Sequence, residues 1–294
     1  MFIVIAWRAI RSGAIFHSMN TRTFLQTAAT LTAALLLGAC DVEPDQTAPD
    51  DSRTATGKIL LVASSPTTAT TEAANGWPLG AWIAEVSHPY YELVEAGYEV
   101  EIVSTAGGDI VIDAYSDPRH ESGYSAEDEQ SLGFLTTEAT ASLLTGTRSI
   151  EDVDEADYDA IIVAGGQAPM YTYRGNETLQ GLVRTFYESG RPTAALCHGV
   201  ASLVDVKTSD GAYLVDGKRL TGFSLVEDMT VEEALGGVQV FEWYVQPALE
   251  ERGADYVDGG LWADFAVADG NLITGQQQYS GASVARLMIE ALEE

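Results

Sequence analysis

The sequence predicts an α/β domain with a mainly parallel sheet, and three observations carry that prediction. From Lys58 onward, short apolar runs alternate with amphipathic stretches, the pattern of repeated βα units. Glycines punctuate the ends of those segments, at Gly97, Gly107-Gly108, Gly165-Gly166, Gly190 and Gly253. The run YDAIIVAGG, from Tyr158 to Gly166, contains five consecutive apolar residues, as expected for a strand covered on both faces.

KILLVAS (residues 58–64) reads as the first buried strand, followed by a polar loop and a helix from about Leu79 to Glu95 that Gly97 stops. EVEIVST (residues 99–105) is the second strand. Residues 109–157 hold a polar, aromatic-containing insertion and then two short helical pieces, with no strand. After the central strand comes a helix from Thr178 to Glu188, then RPTAALCHGV (residues 191–200) as a strand and its turn. GAYLVDGKRLTGF (residues 211–223) has hairpin character, and helical stretches follow around Val231 to Leu235 and from Trp243 to Arg252. FAVADG and NLITG read as two short strands about an Asp-Gly turn, and an amphipathic helix from Ser280 to Leu292 finishes the chain. There is no internal repeat and no second linker, so residues 58–294 are expected to form a single domain, at the upper side of ordinary size.

Composition removes several function classes. The 294 residues include 44 Asp and Glu against 15 Lys and Arg, a formal net charge of −29. A field of that sign repels phosphate backbones and anionic headgroups, so nucleic acid is not an expected partner. Two cysteines, Cys40 and Cys197, and four histidines give no disulfide framework and no zinc cluster. His88 and Glu92, at helical i, i+4 spacing, are too few for a metal site, and no Walker loop or dinucleotide fingerprint is present. No metal and no cofactor are therefore expected.

The first 39 residues read as an export signal. Arg8, Arg11 and Arg22 precede the uncharged stretch from Phe24 to Ala39, and Leu37-Gly38-Ala39-Cys40 resembles a bacterial lipoprotein box. Met19 opens a complete signal by itself, so it is a second candidate start. The expectation is a lipid on Cys40, a disordered acidic tether over residues 40–57, and an extracytoplasmic domain held at a bacterial membrane by the anchor alone. Asp41 after the lipid cysteine resembles an inner-membrane retention signal.

The chemistry points to Cys197. In TAALCHGVA an apolar strand runs out at Leu196 and a small-residue helix begins, which places the sulfur at the carboxyl edge of a parallel sheet. Unpaired N–H groups and the positive end of the helix favour thiolate, and Gly199 allows a tight turn like a nucleophile elbow. A single cysteine is as readily a buried structural residue. His198 beside it supplies the near-neutral proton acceptor that a sulfur nucleophile needs. Tyr171, Tyr173 and Arg174 are expected at a pocket mouth or an interface.

LCHG after one strand and AGG at the end of another resemble the ThiJ/PfpI superfamily, of class I glutamine amidotransferase-like fold. The stretches GAWIAEVSHPYYELVEAGYEVEIVSTAGG, DPRHES, LVDGKRLTGFS, LEERGADYV and DGNLITGQ are similar, in order, to its branch of glutathione-independent glyoxalases (glyoxalase III) and heat-inducible stress chaperones. The resemblance implies a flavodoxin-like three-layer sandwich, commonly a homodimer. It implies Cys197 as nucleophile, His198 as base, Glu85 as the site glutamate, and Asp228 as the acid orienting the histidine, with Glu227 as a substitute. Gly165, Gly166 and the His198 N–H would surround an oxyanion, with Gln167 at the position where the branch commonly has His. Glu85 would be a buried, protonated acid bonded to the sulfur. The implied reaction converts 2-oxoaldehydes such as methylglyoxal to 2-hydroxy acids, as a lyase or hydratase, with protein deglycase hydrolysis as an extension. A holdase chaperone and a cysteine-based oxidative sensor are the alternatives. Glutaminase chemistry is disfavoured, because no histidine follows His198.

Overall fold

The computed structural model describes residues 56–65 and 79–294. The expected signal, the lipidation site Cys40, most of the tether and the loop after the first strand lie outside the described residues. Six strands form the main sheet: β1 (Lys58–Ala63), β2 (Glu99–Ser104), β3 (Ala160–Val163), β4 (Thr193–Leu196), β7 (Ala266–Asp269) and β8 (Leu272–Gly275), in the order β2-β1-β3-β4-β8-β7. Every pairing is parallel except β7 with β8, which runs antiparallel about the Asp269-Gly270 turn. This is the mainly parallel α/β sandwich expected.

Alternation along the strands sends side chains into two cores. Leu60, Val62, Ile161, Val163 and Ala195 face one, which is closed by helices at Glu177–Glu188 and Val245–Glu251. Ile59, Leu61, Ile162, Ala194, Leu196 and Ile273 face the other, closed by α1 (Ala84–Glu95) and the C-terminal helix Gly281–Glu293. The Glu177–Glu188 helix shows why these segments form where they do. Asn176 caps it by accepting the Leu179 N–H at 3.0 Å, and Leu179, Leu182, Val183 and Phe186 give it one buried stripe.

Two expectations are corrected. The first helix begins at Ala84 rather than near Leu79, because Ala81 is held in bridges to both Ile112 and Gly166 and the chain turns into helical geometry only at Ile83. The run 211–223 is not a hairpin: β5 (Arg219–Leu220) pairs in parallel with β6 (Asp255–Tyr256). Gly217 N–H donates to the Gly253 carbonyl at 2.9 Å, so the Asp216-Gly217 turn docks on a distant loop while Leu214 and Val215 are spent on the core. Residues 109–157 contain the expected helical pieces, α2 (Glu129–Thr136) and α3 (Glu138–Ala141), with short 3-10 turns.

Candidate active site

Strand β4 ends at Leu196, and the chain turns at Cys197 with φ of +57° into a 3-10 segment, Cys197–Ser202. A non-glycine residue in that left-handed region costs on the order of 1 kcal/mol and persists only where its surroundings impose it. Here glycines provide the room. A Cβ on Gly199 would lie 2.6 Å from the Val163 carbonyl oxygen, and one on Gly165 would lie 2.6 Å from Glu85 Oε2 and 2.7 Å from the Leu196 carbonyl oxygen. The ends of β3 and β4 therefore close directly on the α1 glutamate.

Behind the sulfur stands a histidine and an acid. Cys197 Sγ is 3.8 Å from His198 Nδ1, and His198 Nε2 is 3.1 Å from Asp228 Oδ1. The imidazole is held in plane by Phe223, at 4.2 Å between ring centroids, and by Phe241 at 5.1 Å. With Nε2 donating to Asp228, Nδ1 is free to accept a proton from sulfur. Burial raises the Asp228 carboxyl, and the His198 contact acts against that rise. Glu227, the alternative acid, is committed elsewhere. It closes a capping box with Ser224 at the start of the Leu225–Ala234 helix, and its Oε1 accepts from the Trp262 N–H (2.9 Å) and Gln276 Nε2 (2.8 Å). Asp228→Asn is expected to lower kcat about 10- to 100-fold with a smaller change in KM, since the imidazole loses its orienting anion but keeps its place between the rings; steady-state kinetics at fixed pH checks this.

In front of the sulfur stands Glu85, 0% exposed, in the first turn of α1. Its Oε2 accepts the Gly165 N–H at 2.7 Å, its Oε1 is buried without a partner, and the carboxyl acts on the Cys197 thiol beside it. Burial is the largest cause lifting this acid to about 8. The thiol is raised as well, by burial first and then by Glu85, while the Gly166 and His198 N–H groups act in the opposite sense. This corrects two expectations. The resting sulfur is not set as thiolate by a helix end, since it is 3% exposed and followed by only a short 3-10 segment. The Gly165 N–H is taken by Glu85, which leaves Gly166 and His198 as the backbone donors facing sulfur.

The sulfur lines a narrow pocket of about 20 Å³. Trp82, Tyr124, Gln167, Phe223, Trp262 and Gln278 are among its walls. Gln167 Oε1 and Trp262 Nε1 are buried without partners, and Trp262 sits at φ of +58°. Trp82, Tyr124 and Gln278 also border a wider outer recess of about 220 Å³ that includes His88, Glu127 and Asp128. His88 hydrogen-bonds Asp128 at 3.0 Å and Glu92 pairs with Arg286 at 3.1 Å, so the helical His/Glu pair is divided between two partners. Tyr173 is not at a mouth but in the core, its hydroxyl donating to the Ala164 carbonyl at 3.0 Å. Arg174 instead pairs with Asp205 and lies over Trp243.

Sequence reasoning missed Trp82, Tyr124, Phe223, Trp262, Gln278 and the buried Asp113. One signal was legible for part of this: Gln276-Gln277-Gln278, three consecutive amides following a buried strand at the carboxyl edge of the sheet, all buried in the fold.

A parallel sheet carrying a cysteine elbow, with a helix glutamate against its sulfur, defines a recognised class. The model of the DJ-1/PfpI family matches residues 81–291, and the chain belongs to that family. Among curated relatives, Glyoxalase 3 of Candida albicans is 29% identical over 244 residues, covering 80% of this chain and 98% of its own. The glutathione-independent glyoxalase HSP31 of Saccharomyces cerevisiae is 28% identical over 237 residues, covering 74% and 92%. Among solved structures, the Rapid Encystment Protein of Francisella tularensis aligns with a TM-score of 0.68 at 29% identity, over 80% of this chain and 98% of that one. Glyoxalase III of Candida albicans aligns at 0.64 and 25%, over 80% and 96%. The relatives also overturn the expected placement. The curated ones are yeast glyoxalases, which give no support to a bacterial lipid anchor or export signal.

Proposed function

We propose that this protein is a glutathione-independent glyoxalase that converts small 2-oxoaldehydes, methylglyoxal being the test case, to 2-hydroxy acids through Cys197. The observation that carries the reading is the line of Cys197, His198 and Asp228, at 3.8 and 3.1 Å, with the buried Glu85 carboxyl against the sulfur, in a chain whose near full-length relatives bear that activity in their names.

The sulfur adds to the aldehyde carbon as its proton passes to His198 Nδ1, and the carbonyl oxygen takes a proton from Glu85, giving a hemithioacetal. The Glu85 carboxylate then removes the hydrogen on that carbon, the electron pair moves toward the adjacent carbonyl, and its oxygen takes the proton held on His198, giving an enediol. Reprotonation at the adjacent carbon reduces the former ketone and oxidises the former aldehyde to a thioester. Water cleaves the thioester to the 2-hydroxy acid and restores the thiol. Oxidation and reduction balance within the substrate, so the net change is addition of one water and no external oxidant enters. The Gly166 and His198 N–H groups are placed to meet negative charge developing beside sulfur. The deglycase extension would need a carbinolamine on a protein side chain to bring the same carbon to sulfur, and the narrow walls about Cys197 favour the free small aldehyde instead.

The test is incubation of the full-length protein with methylglyoxal in the absence of glutathione, followed by enzymatic lactate determination. Lactate in proportion to methylglyoxal consumed is expected; consumption without lactate sinks the reading.

A further inference from the structure

Asp113 is a buried carboxyl that this chemistry does not use. It is 0% exposed and opens a turn, Asp113 to Ser116, that ties together the two sides of the sulfur site. The Asp113 N–H donates to the Ala81 carbonyl at 2.9 Å. Ser116 Oγ donates to the Asp113 carbonyl at 2.8 Å and accepts the Ile83 N–H at 3.0 Å, which holds the chain two residues ahead of Glu85. The carboxyl accepts the Tyr115 N–H at 3.0 Å through Oδ1, and Ala81, whose carbonyl the Asp113 N–H holds, bridges in turn to Gly166, whose N–H faces sulfur. The fit leaves no slack, since a Cβ on Gly80 would lie 2.2 Å from the Asp113 nitrogen.

Asp113 Oδ2 has no partner, an arrangement that a buried carboxylate tolerates poorly and a protonated carboxyl tolerates well. Burial pushes Asp113 up to about 8, and its charge pushes Glu85 in the same direction. The titratable groups around it are Glu85 on α1 and Tyr115 on its own turn; behind Glu85 lie Cys197 at the elbow and Tyr173.

We propose that Asp113 is a positioning residue for Cys197: its turn sets Glu85 and Gly166 about the sulfur, and its negative charge, when formed, opposes loss of a proton from Glu85 and the neighbouring thiol. The inference rests on Cys197 being the reacting atom and not on which aldehyde it meets.

The test follows alkylation of Cys197 by iodoacetamide in the full-length protein across pH, with the modified peptide read by mass spectrometry. Asp113→Asn keeps an acceptor and removes the charge. Its alkylation midpoint is expected to fall by about one pH unit, close to tenfold faster reaction on the rising limb. Asp113→Ala also loses the clamp and is expected not to reproduce that shift. Equal midpoints in the wild type and Asp113→Asn overturn the proposal, as does the same shift in both variants. Should Asp113→Asn not fold, carbon-13 spectra of the wild type labelled at Asp carboxyls decide the matter. One Asp carboxyl titrating near 8 supports it; all Asp carboxyls titrating below about 5 overturn it. Because alkylation needs no substrate, a protein that makes no lactate yet shows the shift removes the glyoxalase reading and leaves the role of Asp113 standing.

Discussion

Replacing Cys197 with serine is expected to lower kcat/KM for methylglyoxal by at least about 10³-fold, a loss near 4 kcal/mol of transition-state stabilisation. The hydroxyl occupies nearly the same space but neither adds to the aldehyde as readily nor leaves as easily from the acyl intermediate. The backbone should not object, because the strain at φ of +57° belongs to any side chain at this turn, and the glycines that permit it are unchanged. Steady-state rates of lactate formation, with circular dichroism to show an unaltered fold, check the result. Serine turning over at a rate within tenfold of cysteine removes sulfur from the reaction.

Glu85→Gln is the second large effect. The amide can still accept the Gly165 N–H and face the sulfur, but it cannot exchange a proton, so kcat is expected to fall about 10²- to 10³-fold. The pH profile separates this from a packing defect. In the wild type, kcat/KM is expected to fall on an alkaline limb that belongs to the first proton lost by the Glu85–Cys197 pair, near the value of about 8 to which burial lifts Glu85, because the reaction begins with both protons in place. In the variant that limb is absent, and only the higher titration of the buried sulfur remains. Stability moves the other way. The folded carboxyl binds its proton more tightly than the unfolded one, so its contribution is full below about 4.5 and is lost as pH rises toward about 8. Glu85→Gln is therefore expected to be more stable than the wild type at pH 8, by about 2–4 kcal/mol, and to match it near pH 4.5. Urea melts at the two pH values measure the difference.

The sheet was legible because its strands announce themselves. Five apolar residues closed by Gly-Gly can hardly be anything but a central parallel strand, and the amphipathic stripe of Leu179, Leu182, Val183 and Phe186 admits one orientation. Cys197, His198 and Asp228 were reachable through resemblance, and the fold brings their side chains into one line. Other features had no local signature. Trp262 reaches the pocket on a left-handed residue, and Asp113 stands in a polar insertion where an exposed loop acid reads the same as a buried one. The parallel pairing of Arg219–Leu220 with Asp255–Tyr256 spans more than thirty residues, and turn chemistry near Gly217 pointed to a nearer partner. The state of the sulfur was misjudged for a related reason: a strand-to-helix junction advertises donors, whereas the desolvation that outweighs them comes from walls contributed by distant segments.

The confined space over Cys197 acts as a sieve. A tripeptide thiol, or the disulfide it forms, is far bulkier than a small aldehyde and meets walls that include Trp82, Tyr124 and Trp262 before its own sulfur reaches Cys197. Exchange with such compounds is thereby opposed by shape, whatever the electrochemical driving force. Slim electrophiles and hydrogen peroxide pass, and the fate of this cysteine is decided by the girth of what approaches it.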